Sequence, residues 1–261
     1  MQQTKFFLGD YGSTHRIIEL YGSVRELEYY SLRDEVVSIV PKSWKRQSSL
    51  KLNATDELII GSGNNSLATD TAIKECNKVG AKATVLVDSW VNYPSRFSIL
   101  PSEVLVTDPW ARDYAKSSWP NVPVIMKLIN RTQLSIKHLE IIKKVIIIGT
   151  PRNNYTEETL SRHSYGGDCL CPEIGLVEKA YKDCMIVLHP HPNVGRVCSL
   201  TRSEITNFDR QSELINEASP HSIMIGRPSY AHYIFESIGV PAYFSERVNT
   251  LWKGPLFRLF L

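Results

Sequence analysis

The chain has 261 residues, 43% of them hydrophobic and 22% charged, with a formal net charge of +3. That is an ordinary globular composition, enough for one large domain or two small ones. So small a net charge excludes a global electrostatic case for nucleic acid and leaves anionic ligands open.

In chain order, KFFLGDYGS is expected to be a first strand that ends in a Gly-Asp turn. EVVSIVP reads as a short strand closed by proline, and DELIIGSGNNS as a strand whose end is rich in Gly, Asn and Ser. LATDTAIKECNKVG follows as a helix, with Leu67, Ala72, Ile73 and Cys76 on one face and Gly80 as its stop. KATVLVDSW is the next strand, with Asp88 at its end. SEVLVTDPWARDYAKSS gives a strand, a Thr-Asp cap, a proline at the first helical position and a helix. VPVIMKL is a further strand.

The second half opens after a polar stretch near Asn130. KKVIIIGTPRNN, CMIVLHPHP, HSIMIGRPS and VPAYFS read as strands, while residues 171–183, SELINEASP and YAHYIFESIG read as helices. Apolar strands without polar alternation, separated by amphipathic helices, predict parallel sheets buried on both faces. The expected fold is α/β, with two Rossmann-like domains over residues 1–130 and 131–261 and a boundary between about 127 and 143.

In such sheets ligands lie beyond the carboxyl ends of the strands. The first half places there Asp10, Ser62, Asn64, Asp88 and Trp90, with Arg96 a little further on. The second half places there Thr150, His189, His191, Arg227 and Ser229. Glu236 lies seven residues past Ser229, two helical turns on and on the same face. This second set suits an anionic ligand. Histidines donate to phosphate, Ser229 opens a helix whose free amides bind anions, and Arg227 adds a charged donor. Glu236 could accept from ribose hydroxyls. Taken one at a time, a strand-end histidine is usually a loop residue, and a serine before a helix is usually only a cap. It is their joint placement that points to a nucleotide phosphate.

No DxD triplet, GxGxxG or GxxxxGK[ST] occurs, so no metal or other cofactor is expected. The five cysteines, at 76, 169, 171, 184 and 198, lack CxxC spacing and read as reduced thiols.

LHPHP, IMIGRPSYAHYIFESIGVPAYFS and VLVDSWVNYPSRF…LPSEVLVTDPWARDYA resemble stretches of the two-domain, GT-B-type bacterial glycosyltransferases. Within that group they resemble the sialyltransferase- and Kdo-transferase-like enzymes and those of polysaccharide biosynthesis. The resemblance implies two domains facing a cleft, with the acceptor on the first and the donor on the second. It implies metal-independent, inverting transfer from a CMP-acidic sugar or another nucleotide sugar to a glycan, a lipid-linked acceptor or another hydroxyl.

His191 would then be the catalytic phosphate donor, with His189, Thr150, Arg227, Ser229 and Glu236 on the nucleotide sugar. Asp88 would be the catalytic base, with Asp10, Ser62, Asn64, Trp90 and Arg96 on the acceptor. A nucleotide-sugar epimerase or hydrolase of the same fold, and a non-catalytic binding subunit, stay open beside it.

No apolar run nears the roughly 20 residues of a membrane span, and MQQTKFFLGDYGS lacks a signal peptide's apolar core. The expected location is therefore the cytoplasm. The apolar stretch TLWKGPLFRLFL is expected to pack back on the domains. A peripheral contact with the inner face of the membrane, or with a partner, is its other reading. No nucleic-acid partner is expected, and oligomeric state stays open.

Overall fold

A computed structural model describes residues 3–24, 26–63, 66–88, 93, 96–129, 135–148, 177–189, 215–226 and 230–244. The chain divides into two compact units, Met1–Asn130 and Arg131–Leu261.

The first unit holds a seven-stranded parallel sheet: β1 (Thr4–Phe7), β2 (Glu28–Tyr30), β3 (Lys45–Arg46), β4 (Glu57–Gly61), β5 (Lys82–Leu86), β6 (Glu103–Val106) and β7 (Val124–Met126). Their order across the sheet is β3-β2-β1-β4-β5-β6-β7, and every adjacent pair is parallel. The chain steps outward from β1 to β3, returns to the far side of β1, and steps outward again from β4. The order therefore reverses between β1 and β4, where a doubly wound sheet opens a crevice at its carboxyl ends.

The local reasons are plain in the residues. After a partly buried first residue, β4, β5 and β6 each run buried to their ends, as strands covered on both faces must. Their first residues are polar and meet at the amino end. Lys82 Nζ lies 3.1 Å from Glu57 Oε1 and 2.7 Å from Glu103 Oε1.

Helix α1 (Tyr11–Tyr21) is capped by Asp10, and α4 (Pro109–Ser118) starts with proline behind the cap Asp108. Helix α3 (Ser66–Val79) stops at Gly80, whose φ of +77° suits glycine. The core over β1 gathers Phe6, Leu8, Ile17, Tyr29, Val36, Trp44, Ile59, Leu86 and Leu105, with the Phe6 ring stacked on Trp44 at 5.4 Å.

Helix α1 and strands β2 and β3 come where no element was expected, and EVVSIVP differs as well. EVVSIVP is not a strand. It begins as the single helical turn α2 (Asp34–Val37), and its apolar residues serve the core through Val36, which is 1% exposed. The strands on that side are β2 and β3, of three and two residues, too short to show an apolar run.

The second unit holds β8 (Lys144–Ile148), β9 (Met185–His189), β10 (Ser222–Gly226) and β11 (Ala242–Phe244), all parallel, in the order β11-β10-β8-β9. The order reverses between β8 and β10, so Ile148 and Gly226, paired in register, mark the crevice position of this sheet. Both faces are covered. Val145, Ile147, Leu188, Ile223 and Ile225 pack on one side, and Ile146, Met224, Phe235, Ile238 and Val240 on the other. The second group includes α5 (Tyr230–Ser237), which is followed by Gly239 at φ +90°.

At the reversal in the first sheet, the ends of β1 and β4 are in backbone contact. A Cβ on Gly9 would lie 2.2 Å from the Gly61 carbonyl oxygen, so only glycine fits without moving the strand ends apart. Gly9→Ala is expected to cost roughly 1–3 kcal/mol, as forced overpacking does. Urea unfolding checks this, and an unchanged midpoint would show that the two strand ends are not held in this contact.

Candidate functional site

The carboxyl ends of β1, β4 and β5 bring two carboxylates together. Asp10, just after β1, folds back over α1. Its Oδ1 accepts from Ser13 N and from Ser13 Oγ, each at 2.9 Å. Asp88 follows β5. A Cβ on Gly12 would lie 2.4 Å from Asp88 Oδ2 and 3.8 Å from Asp10 Oδ1, so the two carboxylates share the space over this one glycine. Asp10 Oδ2 faces Gly63. Arg96, 2% exposed, places its guanidinium 3.0 Å from Asp88 Oδ1.

The charges in this cluster are unequal. Burial pushes the Asp10 carboxyl up, and the charge of Asp88 pushes it further. Hydrogen bonds from Ser13 and the charge of Arg96 pull back only in part, and Asp10 settles at about 6. Asp88 holds the salt bridge to Arg96. The pair is therefore one ion-paired carboxylate beside one that exchanges its proton near neutral pH, a combination suited to moving a proton.

The cluster also fixes what this crevice can take. A helix start at such a reversal ordinarily offers free amides to a phosphate. Here Asp10 already occupies the start of α1 and adds negative charge beside Asp88, so the site disfavours an anion and suits hydroxyls.

Arg96, expected on the acceptor, is buried in the ion pair with Asp88. Ser62, also expected on the acceptor, is 0% exposed, and its Oγ has no hydrogen-bond partner among the described residues. Asn64 and Trp90 lie outside the described residues. Trp119 belongs to the core, stacked with Tyr93 at 5.1 Å and Phe97 at 4.4 Å.

In the second sheet His189 closes β9, in register with Ile148. It is 6% exposed, and burial pulls its imidazole down to about 4, with Glu217 opposing and Lys144 assisting. It is thus a neutral ring at physiological pH. It can donate one hydrogen bond but brings no charge to a phosphate.

Glu236 is placed elsewhere. Its Oε1 accepts from Ala242 N at 2.8 Å, at the first residue of β11. It is the seventh residue of α5, and at about 1.5 Å per residue the helix carries it away from the carboxyl ends. Its observed task is to fix the turn into β11. Thr150, His191, Arg227 and Ser229 lie outside the described residues.

One contributor was missed from sequence. Asp70 lies on the apolar face of α3 and is 7% exposed, with Ser98 and Ile99 donating to it. The available signal was a lone aspartate on the stripe of Ile73 and Cys76, where an unpartnered charge would be costly. The Cys76 thiol is pushed up to about 12 by burial, which makes it inert. Among the described residues no group of three or more His, Cys, Asp or Glu could hold a metal ion, and no helix is long and apolar enough to cross a membrane.

No protein family and no curated protein matches the chain. Among solved structures it is similar to the glycosylation associate protein (Gap123) complex from Streptococcus agalactiae, at 11% identity and a TM-score of 0.35. The match covers 76% of this chain and 44% of that one, so the chain spans less than half the length of that structure's chain. A likeness this slight carries no inference about function.

The raised Asp10 carboxyl has a consequence for stability. A carboxyl that holds its proton more tightly folded than unfolded stabilises the fold fully below about pH 4, and that contribution is lost as pH rises to about 6. Asp10→Asn keeps a capping side chain and removes the buried charge. It is expected to stabilise the protein by roughly 1–3 kcal/mol at pH 8, with the gain vanishing near pH 4. Urea titrations at the two pH values check this, and an equal effect at both would mean Asp10 is ionised throughout.

Proposed function

We propose that the chain is a metal-independent glycosyltransferase that moves a sugar from a nucleotide-activated donor to a hydroxyl acceptor. The observation that carries this reading is the Asp10–Asp88 pair over Gly12, with Asp88 held by Arg96 and Asp10 exchanging its proton near neutrality. A doubly wound sheet whose crevice rejects phosphate and presents a proton acceptor suits the acceptor side of such a reaction.

In the proposed step the acceptor hydroxyl gives its proton to the carboxylate pair, with Asp10 as the end that takes it. The acceptor oxygen bonds to the anomeric carbon from the face opposite the leaving group. The bond from that carbon to the donor phosphate breaks, its electron pair goes to the phosphate, and the configuration inverts. Negative charge then grows on the leaving phosphate. Donors fixed there stabilise the transition state more than the ground state.

The reversal between β8 and β10 supports placing the donor on the second sheet. Thr150 follows β8, His191 follows β9, and Arg227 and Ser229 follow β10. We assign the phosphate to these four, with His189 as a neutral donor beside them. Glu236, engaged with Ala242, is left out of the nucleotide site. Surface-polysaccharide or other glycan synthesis is the setting this reaction suits. A CMP-acidic sugar and a nucleoside-diphosphate sugar are both donors of the proposed chemistry.

The test is a transfer assay over a panel of nucleotide sugars and glycan acceptors, with nucleotide binding followed by calorimetry. Asp10→Asn and Asp88→Asn are each expected to lower turnover by about 10²–10⁴-fold while nucleotide affinity stays near wild type. His191→Ala is expected to weaken nucleotide binding. Full turnover in Asp10→Asn would remove the acceptor-side assignment. Donor consumption that needs no acceptor would make the protein a hydrolase or epimerase.

A further inference from the structure

Arg96 holds Asp88, and Arg96 itself belongs to none of the strands or helices given above. It sits in the connection between β5 and β6, and that connection is fixed at both ends of its described part. At one end Tyr93 is 0% exposed, stacked on Trp119 at 5.1 Å and edge-on to Tyr114 at 4.5 Å, with its hydroxyl 3.4 Å from the Ala111 carbonyl. At the other end Asp70, in the second turn of α3, accepts from Ser98 N at 2.8 Å, Ser98 Oγ at 2.7 Å and Ile99 N at 3.0 Å. Burial pushes the Asp70 carboxyl up, yet the bonds from Ser98 and Ile99 outweigh it and leave the carboxyl below the usual range. Three donors on one buried carboxylate are a stiff tether, and Arg96 is two residues from it.

We propose that Asp70 is a positioning residue for the Asp10–Asp88 pair: by tethering Ser98 and Ile99 it sets the Arg96 guanidinium against Asp88. Asp70 touches neither carboxylate. It acts through Arg96, whose charge draws on both. The catalytic meaning of the tether rests on the transferase reading above, but the tether itself does not.

The groups that govern Asp10 are Asp88 from the end of β5, Arg96 from the connection, and Ser13 from α1. A displaced Arg96 withdraws a favourable charge from Asp10 and exposes it to the full charge of Asp88. Asp10 must then hold its proton more tightly.

The experiment follows the Asp10 side-chain carboxyl by carbon-13 NMR as a function of pH in the wild-type chain, Asp70→Asn, Ser98→Ala, Arg96→Met and the double variant Asp70→Asn/Arg96→Met. Thermal melts confirm that each is folded. Wild type is expected to titrate at about 6. Arg96→Met and Asp70→Asn are each expected to raise the proton affinity of Asp10 about threefold or more, and the double variant to add nothing to Arg96→Met. Ser98→Ala removes one of the three donors without touching a charge and should move Asp10 the same way by less. It keeps the test alive if Asp70→Asn fails to fold.

The proposal is overturned if Asp70→Asn or Ser98→Ala lowers the melting temperature while Asp10 titrates as in wild type. It is equally overturned if Arg96→Met leaves Asp10 unmoved. Because the readout is a titration and not turnover, failure here is distinct from failure of the transferase reading, which the donor panel decides.

Discussion

Two carboxylates over a single glycine are the constraint on which the first unit turns. Water would separate their charges at little cost; in a largely buried crevice the same charges repel, and each loses its hydration. The fold answers with one guanidinium for two carboxylates. Arg96 takes Asp88, and Asp10, with the lesser share of that charge, is left with its carboxyl raised to about 6. Beside them the ends of β1 and β4 meet so closely that a Cβ on Gly9 would lie 2.2 Å from the Gly61 carbonyl oxygen. The cost is local and is carried by the wide buried sheet around it, where Phe6, Leu58, Ile60 and Leu86 are each 0% exposed.

The same arrangement separates the two sheets chemically. Both are parallel, and both reverse their strand order beside their first strand. In the first, the crevice position is filled by an aspartate that caps α1 and faces a second aspartate. In the second, the residues that follow the strand ends are a threonine, a histidine, an arginine and a serine, all able to donate. In our reading one sheet end therefore suits a hydroxyl, while the composition of the other suits an anion. In our reading this division lets one chain handle a neutral acceptor and a charged leaving group without a metal to neutralise either.

Much of the fold was legible because parallel strands buried on both faces read as unbroken apolar runs: LIIG, ATVL, VLV, VIII and MIVL all became strands. The same signal misled at EVVSIVP, where β-branched residues serve the core from a helical turn. It was silent at Lys45–Arg46, an exposed edge strand of two polar residues. Asp10, Asp88 and His189 were legible as strand-end residues.

What each does was less so, because partners distant in sequence decide it. Arg96 pairs with Asp88 from eight residues further on, and Asp70 holds Ser98 and Ile99 from α3. The charge state of His189 depends on burial that a His-Pro motif does not reveal. Glu236, expected on the nucleotide, is the seventh residue of α5 and accepts from Ala242 N at the first residue of β11, a partner that helical spacing alone does not reveal.

In our reading the two sheet ends divide the labour, hydroxyl on one and phosphate on the other. The most direct measurement is a backbone-amide NMR titration with CMP, UDP, GDP and dTDP. The nucleotide that binds is expected to shift the amides around Ile148, His189 and Gly226 and to leave Gly12, Ser13 and Gly63 in place. A nucleotide that instead moves Gly12, Ser13 and Gly63 would contradict this reading, because the phosphate would then sit at the crevice that Asp10 and Asp88 are held to close against anions.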